Sequence, residues 1–380
     1  MLFKSHITSM LRSLLCKHRP KILLTLVISA CQSPSNINKE TADLFVMPDA
    51  NETIGSVEIY HPRALEFITK ETLISVRGKD FDWVEGPVWV KDHNFLLFTD
   101  IPKNIIRKFD AQKGTSVYLE NVGFDKPSNK GPGANGLLLN KQNQLVMMRS
   151  GSRTVAVMNS DINRPKTDFT TLASHHNNMR LNSTNDGTMH SDGSIYFTDP
   201  PIGLDFVFDN SSALVAKHKR VNKVVNKRIQ ETPYAGVYRL STTGELTLLD
   251  DTLTVPNGIG FSPDEKTLYV AVSDKDASSW FAFDVLESGM LTNKRVFYNT
   301  QHLIGKKGEQ GYPDGMAVHS SGVIFATGPG GVWLFDKQGK VLAKIKTGLL
   351  TSNCTFSTNE EYLFITADDY LLSIPLNSKL

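Results

Sequence analysis

The segment Glu85-Gly-Pro-Val-Trp-Val, followed after a polar turn by Phe95-Leu-Leu-Phe-Thr-Asp100, contains the pattern on which the fold of this chain depends. A polar residue opens a first strand, a turn rich in Asp, Asn, Ser or Gly follows, and a second strand rich in β-branched and aromatic residues comes next. The same order recurs at Asn185-Asp-Gly-Thr-Met and at Asn257-Gly-Ile-Gly-Phe, each with its own second strand. The chain is therefore built from repeats of one β-strand unit.

Six such units are present, and their opening residues are Glu85, Asn135, Asn185, Asn257, Asp314 and Asn353. Their spacing of 39 to 72 residues is too long for a hairpin and suits a blade of four antiparallel strands. The sequence predicts an all-β fold, a six-bladed β-propeller with a central metal-binding channel. Leu73-Ile-Ser-Val-Arg is predicted to close the last blade against the C-terminal run that starts at Tyr370, and Pro62 is predicted to begin a short helix.

Composition limits the classes of protein to which the chain can belong. It has 380 residues and a mass of 42.2 kDa, with 40% hydrophobic and 21% charged residues, which is typical of a soluble protein with a packed core. The formal net charge is only +2, so no nucleic-acid partner is expected. Three cysteines cannot form a disulfide framework. We expect one large domain, residues 58–380, that acts as a monomer.

The N-terminal residues have the pattern of an export signal. Basic residues precede the apolar run 22–28, which is too short to span a bilayer. Residues 1–30 are therefore interpreted as a lipoprotein signal peptide, with Met10 as an alternative start. Residues 31–57 are polar and lack periodicity, and they are interpreted as a tether.

The end of this segment indicates a membrane anchor. Ile28-Ser-Ala-Cys31 resembles the bacterial lipobox, and the resemblance implies lipidation of Cys31. Gln32 then favours the periplasmic side of the outer membrane, with the lipid as the only membrane contact. The alternative is an ordinary cleaved signal and a soluble periplasmic or secreted protein.

In a propeller the first strand of every blade lines the central channel, so the residue that opens each first strand faces the axis at one end. We therefore predict that polar residues from distant parts of the chain converge there, namely Glu85, Asn135, Asn185, Asn257 and Asp314. The alternative is that the Asn-Gly and Asp-Gly pairs are hairpin turns, which favour these residues. That alternative fits Asp192-Gly193, which lies between two predicted strands.

The converging side chains would offer only oxygen donors to a ligand: two carboxylates, from Glu85 and Asp314, and the amide oxygens of Asn185 and Asn257. Hard divalent cations prefer such donors, so Ca²⁺ is the predicted metal, with Mg²⁺, Mn²⁺ and Zn²⁺ as alternatives. A metal at the end of a channel favours hydrolysis by an activated water.

Other hydrolytic machinery is missing from the sequence. It contains no Gly-x-Ser-x-Gly elbow, no His-Glu-x-x-His, no phosphate loop and no Cys-x-x-Cys pair, so no covalent serine or cysteine route is predicted. Four histidines in predicted loops or turns are expected to be solvated or structural: His175, His176, His190 and His319.

From Pro62 to Leu376 the chain resembles the regucalcin/gluconolactonase (sugar lactone lactonase) family. Besides the Glu85 motif, the segments that carry the resemblance are Arg180-Leu-Asn-Ser-Thr-Asn-Asp186, Ser191-Asp-Gly-Ser-Ile-Tyr-Phe-Thr-Asp-Pro-Pro201, Pro256-Asn-Gly-Ile-Gly-Phe-Ser-Pro-Asp264, Pro313-Asp-Gly-Met316 and Gly328-Pro-Gly-Gly-Val-Trp333. The occurrence of all of them in order is specific. The resemblance implies a six-bladed propeller that opens lactone rings with one divalent metal in its channel.

The resemblance also implies roles for single residues. Glu85, Asn257 and Asp314 match the metal ligands of the family, and Asn185 matches a position that contacts metal or substrate. Asp314 matches the residue proposed as general base. Asp186 follows the motif and, with Asn135 and Asn185, is expected to contact the substrate.

Two features depart from the family pattern. Ser150-Gly151 stands where many bacterial relatives have His-Gly, which is expected to alter the channel mouth. The stretch from Asn210 to Gln230 is a long insertion with several basic and no acidic residues. A solvated loop is the default interpretation of it, and a lid or an anionic-surface contact is the alternative.

The predicted activity is metal-dependent opening of a sugar lactone, gluconolactone-like, to the hydroxy acid. Hydrolysis of phosphotriesters or aryl esters on the same ring is an alternative, since the ring does not fix the substrate. A non-catalytic, surface-anchored binding propeller is another, and it predicts a channel plugged by large side chains.

Overall fold

The structure is a computed structural model that describes residues 47–124, 132–205 and 230–377. In these ranges the chain forms β-strands and five short 3₁₀ helices, and no α-helix. Apart from one two-stranded hairpin, the described strands group into six sheets arranged as a six-bladed β-propeller, which confirms the predicted all-β fold. The predicted signal peptide, Cys31 and nearly all of the basic insertion lie outside the described residues.

Blades 1 and 2 each contain four antiparallel strands. From the channel outwards, blade 1 consists of Val84–Val90, Phe95–Asp100, Ile105–Asp110 and Gly114–Glu120. Blade 2 consists of Leu137–Leu139, Leu145–Arg149, Thr154–Met158 and Phe169–Ala173. A small hairpin, His175–His176 with Met179–Arg180, follows blade 2.

Blades 3 and 4 have the same order of strands. Blade 3 consists of Gly187–Met189, Ile195–Asp199, Gly236–Leu240 and Leu246–Asp250. Blade 4 consists of Pro256–Phe261, Thr267–Val272, Ser279–Val285 and Leu291–Asn299.

Blades 5 and 6 take in strands from the N-terminal part of the chain. Blade 5 consists of Met316–Val318, Ile324–Gly328, Gly331–Phe335 and Val341–Lys346, with Ser56–Ile59 added at its outer edge. Blade 6 consists of Thr351–Phe356, Tyr362–Ala367, Tyr370–Pro375, Ile74–Gly78 and Thr53–Ile54. The pairing of Ile74–Gly78 with Tyr370–Pro375 is the predicted closure of the last blade.

The described 3₁₀ helices are Pro62–Glu66, Lys91–His93, Pro201–Asp205, Gln301–Leu303 and Thr358–Glu360. The first of them starts at Pro62, as predicted. Among the residues that the structure describes, no helix has the length and apolarity needed to cross a membrane. The stretch interpreted as a tether, 31–57, ends earlier than its predicted boundary, because residues 53–57 already supply paired strands to blades 6 and 5.

Apolar side chains fill the space between neighbouring blades. The described residues form six buried apolar clusters, one at each interface between blades. The second strand of blade 2 is a continuous apolar run. Its residues Leu145 and Met147 pack against blade 1, whereas Val146 and Met148 pack against blade 3. Because successive side chains of a strand point to opposite faces, a strand buried on both faces needs apolar residues at every position.

The inner strands contact one another in a closed ring around the channel. At each of the six interfaces a buried Ser or Thr hydroxyl donates a hydrogen bond to a backbone carbonyl at the start of the next blade. The pairs are Thr99 to Asn135 O (3.1 Å), Ser150 to Thr184 O (2.6 Å), Thr198 to Asn257 O (2.7 Å), Ser273 to Pro313 O (2.6 Å), Thr327 to Ser352 O (2.8 Å) and Ser352 to Val84 O (2.7 Å). These bonds fix the start of every blade relative to its neighbour.

Candidate metal centre in the channel

The six residues that open the repeat units lie next to one another around the channel. Glu85, Asn185, Asn257 and Asn353 are buried, and Asn135 and Asp314 are half-buried. The units therefore begin at neighbouring points around the channel, and the side chains that the structure brings into direct contact there are Glu85, Asp186 and Asn353.

Backbone contacts close the circle from blade to blade. Gly136 N donates to Asn185 O at 2.8 Å, and Gly315 N donates to Ser352 O at 2.7 Å. Thr198 links blades 3 and 4, because its hydroxyl accepts from Asp186 N at 3.2 Å and donates to Asn257 O.

The glycines that follow the opening residues are required by close packing between blades. A Cβ atom on Gly258 would lie 2.1 Å from the carbonyl oxygen of Asp314, and one on Gly315 would lie 1.9 Å from Cγ of Asn353. Only Asp192-Gly193 fits the alternative interpretation of such pairs as hairpin turns, since Gly193 lies in the turn with a φ of +95°.

Irregular strand pairing accompanies several opening residues. The register shifts between Glu85 and Val88, between Pro256 and Ile259, and between Thr351 and Asn353. A bulge changes the direction of a side chain relative to a regular strand. These bulges allow residues at the start of an inner strand to face the channel.

Asn353 is the residue that the sequence prediction left out of the site. Its Nδ2 donates to Oε2 of Glu85 at 3.3 Å and to Oδ2 of Asp186 at 3.2 Å. The carboxamide of blade 6 therefore joins carboxylates from blades 1 and 3. The repeat identifies Asn353 as the start of a unit, but Cys354 follows it where most units have glycine.

The two carboxylates are held in an unfavourable environment for their charge. Burial, and then repulsion from Asp186, raise the pKa of Glu85 above its usual range. Burial raises the pKa of Asp186 to about 6. The Asn353 carboxamide and the N–H groups of Gly86 and Gly187 oppose these shifts by donating to the carboxylates. A cation bound between such groups would favour their ionised forms.

Asn257 also has a fixed orientation. Its Nδ2 donates to the hydroxyl of Ser273 at 2.9 Å, and that hydroxyl donates to Pro313 O. The amide nitrogen is thereby engaged with the wall of blade 4, so the amide oxygen is the end that can face a cation.

The donor set fits a hard divalent cation. Glu85 and Asp186 supply carboxylate oxygens and the asparagines supply amide oxygens, the ligands that Ca²⁺ and Mg²⁺ take in proteins. Within the described ranges no three His, Cys, Asp or Glu side chains form a metal cluster, so amide oxygens, backbone carbonyls or waters would complete any coordination here. A zinc site built on His or Cys does not fit this set.

The channel is open below the ring. A cavity of about 440 Å³ extends from Asp186 and Asn353 towards the end of the inner strands, and its walls include Met189, Phe261 and Met316. This part of the channel is therefore not filled by side chains, in contrast to the plugged channel that the binding-propeller alternative predicts.

Three further predictions concern residues outside the ring. Ser150 is buried and donates to Thr184 O, so it links blades 2 and 3. His190 and His319 lie in hairpin turns with Nε2 3.4 Å from Glu265 Oε2 and 3.1 Å from Glu360 Oε2, respectively, consistent with structural roles.

Comparison with known proteins adds the family context. The model of the SMP-30/Gluconolactonase/LRE-like region matches residues 83–369. The gluconolactonase of Zymomonas mobilis is 34% identical over 329 residues, which cover 85% of this chain and 86% of that protein. Among solved structures, a gluconolactonase from Xanthomonas campestris is 27% identical with a TM-score of 0.70, and the match covers 87% of this chain and 99% of that one.

A more distant structure shares the fold. Regucalcin from Agrobacterium tumefaciens, described as a calcium-binding protein, is 17% identical with a TM-score of 0.58. The match covers 80% of this chain and 93% of that one.

Proposed function

This chain belongs to the SMP-30/gluconolactonase/LRE-like family, and from that premise we propose that it is an enzyme that hydrolyses a sugar lactone, gluconolactone-like, to the hydroxy acid. The observation that carries the proposal is the contact inside the closed ring of inner strands in which the Asn353 carboxamide joins Glu85 and Asp186 next to a cavity. The similarity to two gluconolactonases supports a lactone as the substrate class.

We assign the cation ligands to Glu85, Asn185, Asn257 and Asp314, with Ca²⁺ as the first choice. A divalent cation held there supplies Lewis-acid polarisation of the lactone carbonyl oxygen. The oriented amide of Asn257 and the buried carboxylate of Glu85 support this assignment, because both are fixed by hydrogen bonds before any ligand binds.

Asp314 is assigned the proton transfer. Its carboxylate accepts a proton from the water that attacks the lactone carbonyl carbon. When the C–O bond of the ring breaks, Asp314 returns that proton to the ring oxygen, which leaves as the hydroxyl of the product. Asp314 is half-buried and its backbone N–H is bonded to Thr327 O at 2.9 Å, so the carboxylate is held at the start of blade 5. Asn135, Asn185 and Asp186 are assigned to contacts with the substrate, and the Asp186 carboxylate, which shares the Asn353 donor with Glu85, also contributes negative charge to the cation site.

The test is a pH-stat assay of the purified protein against a panel of sugar lactones, aryl esters and phosphotriesters, with and without chelator. Acid release from a sugar lactone that stops with chelator and returns with one divalent metal is the expected result. Faster turnover of aryl esters or phosphotriesters would assign the ring to that chemistry, and no turnover of any substrate with metal bound would favour the binding propeller.

A further inference from the structure

Asn353 has a position that differs from that of the other asparagines in the ring. It lies in the inner strand Thr351–Phe356 directly after a register shift, and only 6% of the surface of the residue is exposed. A Cβ atom on Gly315 of blade 5 would collide with the carboxamide of Asn353. The glycine therefore leaves space in the neighbouring blade for this side chain.

Hydrogen bonds determine which end of the carboxamide faces the carboxylates. Asn353 Oδ1 accepts from Cys354 N at 2.8 Å. Nδ2 is therefore directed to Glu85 Oε2 and Asp186 Oδ2, and it has one hydrogen for each of them.

The same contacts fix the orientation of both carboxylates. Glu85 Oε2 accepts from Gly86 N at 3.0 Å as well as from Asn353, and Asp186 Oδ1 accepts from Gly187 N at 2.8 Å. Each carboxylate is thus held by its own backbone and by one shared side chain from blade 6. Two like charges in a buried site repel each other, and a donor placed between them offsets part of that repulsion.

We propose that Asn353 is a positioning residue for the cation site, whose carboxamide holds Glu85 and Asp186 together in the orientation that binds a divalent metal. The proposal rests on the proposed function in one respect, that this ring binds a cation. It adds a residue from the sixth blade that supports ligands from blades 1 and 3 without being required as a ligand itself.

The experiment measures Ca²⁺ affinity by calorimetry on metal-stripped full-length protein, with Asn353→Ala as the variant. Loss of a residue that orients metal ligands typically weakens binding by about 10- to 100-fold, and that loss is expected here. At saturating Ca²⁺ the lost kcat is expected to recover in large part, because the bound cation then orients Glu85. The matched control is Asn159→Ala, which removes an exposed carboxamide that also donates to a carboxylate, Asp168.

A second variant separates hydrogen bonding from packing. Asn353→Leu keeps roughly the volume of the side chain but removes both the donor to the carboxylates and the acceptor for Cys354 N. If the donor matters, the affinity for Ca²⁺ falls as it does in Asn353→Ala. If Asn353 only fills space, Asn353→Leu binds Ca²⁺ like wild type, and that result overturns the proposal even if Asn353→Ala does not fold.

The outcomes also separate this inference from the proposed function. Wild-type protein that binds no divalent metal would remove the premise and with it both conclusions. Wild-type protein that binds Ca²⁺, together with an Asn353→Ala variant of equal affinity, would overturn only the role of Asn353.

Discussion

Replacing Thr198 by valine tests whether the hydroxyl bonds between blades build the site. Thr198 is fully buried, and its hydroxyl donates to Asn257 O at 2.7 Å and accepts from Asp186 N at 3.2 Å. Valine has nearly the same shape, so the substitution removes two hydrogen bonds while the apolar packing of the methyl group remains. The change therefore affects the backbone of Asn257, a proposed metal ligand, and the backbone of Asp186, whose carboxylate accepts from Asn353.

The expected cost follows from the two partners left behind. A buried polar group without a hydrogen bond costs about 1–3 kcal/mol, so Thr198→Val is expected to lower the free energy of unfolding by roughly 3 kcal/mol. For a domain of this size that corresponds to a fall in melting temperature of roughly 5 °C. Because the backbones of Asn257 and Asp186 both lose a hydrogen bond, the affinity for the metal is also expected to fall, by about tenfold.

The assay is differential scanning calorimetry of metal-free and Ca²⁺-saturated protein, with calorimetric titration of the metal. The control is Thr170→Val, which removes a threonine hydroxyl that bonds to Asn159 on the exposed outer strand of blade 2 and is expected to change stability by less than about 0.5 kcal/mol. If Thr198→Val melts and binds metal like Thr170→Val, the bonds between blades do not position the ring, and the reasoning fails.

Three further substitutions have definite expected outcomes. Glu85→Gln removes a carboxylate from the ring and is expected to weaken Ca²⁺ binding by about 10- to 100-fold in a calorimetric titration; unaltered affinity would exclude Glu85 as a ligand. Asp314→Asn keeps an oxygen ligand but removes the proton acceptor, so kcat is expected to fall by about 10²–10⁴ at saturating metal, and an unchanged kcat would exclude Asp314 as the base. Burial raises the pKa of Asp199 to about 7, above the value in an unfolded chain, so its ionisation destabilises the fold as the pH rises from about 4 to about 7. In urea unfolding measured at several pH values, the free energy of unfolding is therefore expected to fall less between about pH 4 and about pH 7 for Asp199→Asn than for wild type. An equal fall in variant and wild type would contradict the raised pKa of Asp199.

Much of the fold could be predicted because each repeat unit encodes its own position. A polar residue at the start, an apolar first strand and an apolar second strand are what a blade buried on both faces requires. The closure of the last blade by Ile74–Gly78 could also be predicted, because an unpaired strand edge at the end of the ring needs a partner strand.

Asn353 and Ser150 show where local pattern ceases to be informative. The sequence marks Asn353 as the start of a unit, but only the packing against Gly315 and the contacts with two other blades reveal that it joins Glu85 to Asp186. Ser150 looks like a substitution at the channel mouth, whereas its hydroxyl bonds to the next blade. Both roles depend on contacts between residues more than thirty positions apart, which no local pattern contains.

The N-terminal boundary was placed too late for a related reason. Residues 53–57 have no apolar periodicity that separates them from a tether, and they become strands because the sheets of blades 5 and 6 offer them free edges. Thr53, Ile54 and Val57 are β-branched and favour a strand, but strands of two and four residues are too short to show a periodic pattern in the sequence.

The central claim is that side chains from separate blades hold one divalent cation at the head of the channel. The most direct measurement is a calorimetric titration of Ca²⁺ into metal-stripped protein, carried out in parallel on the double variant Glu85→Gln/Asp186→Asn. One site per chain in the wild type, lost in the double variant, is the predicted result. No stoichiometric binding by the wild type, or equal binding by the double variant, would contradict the claim.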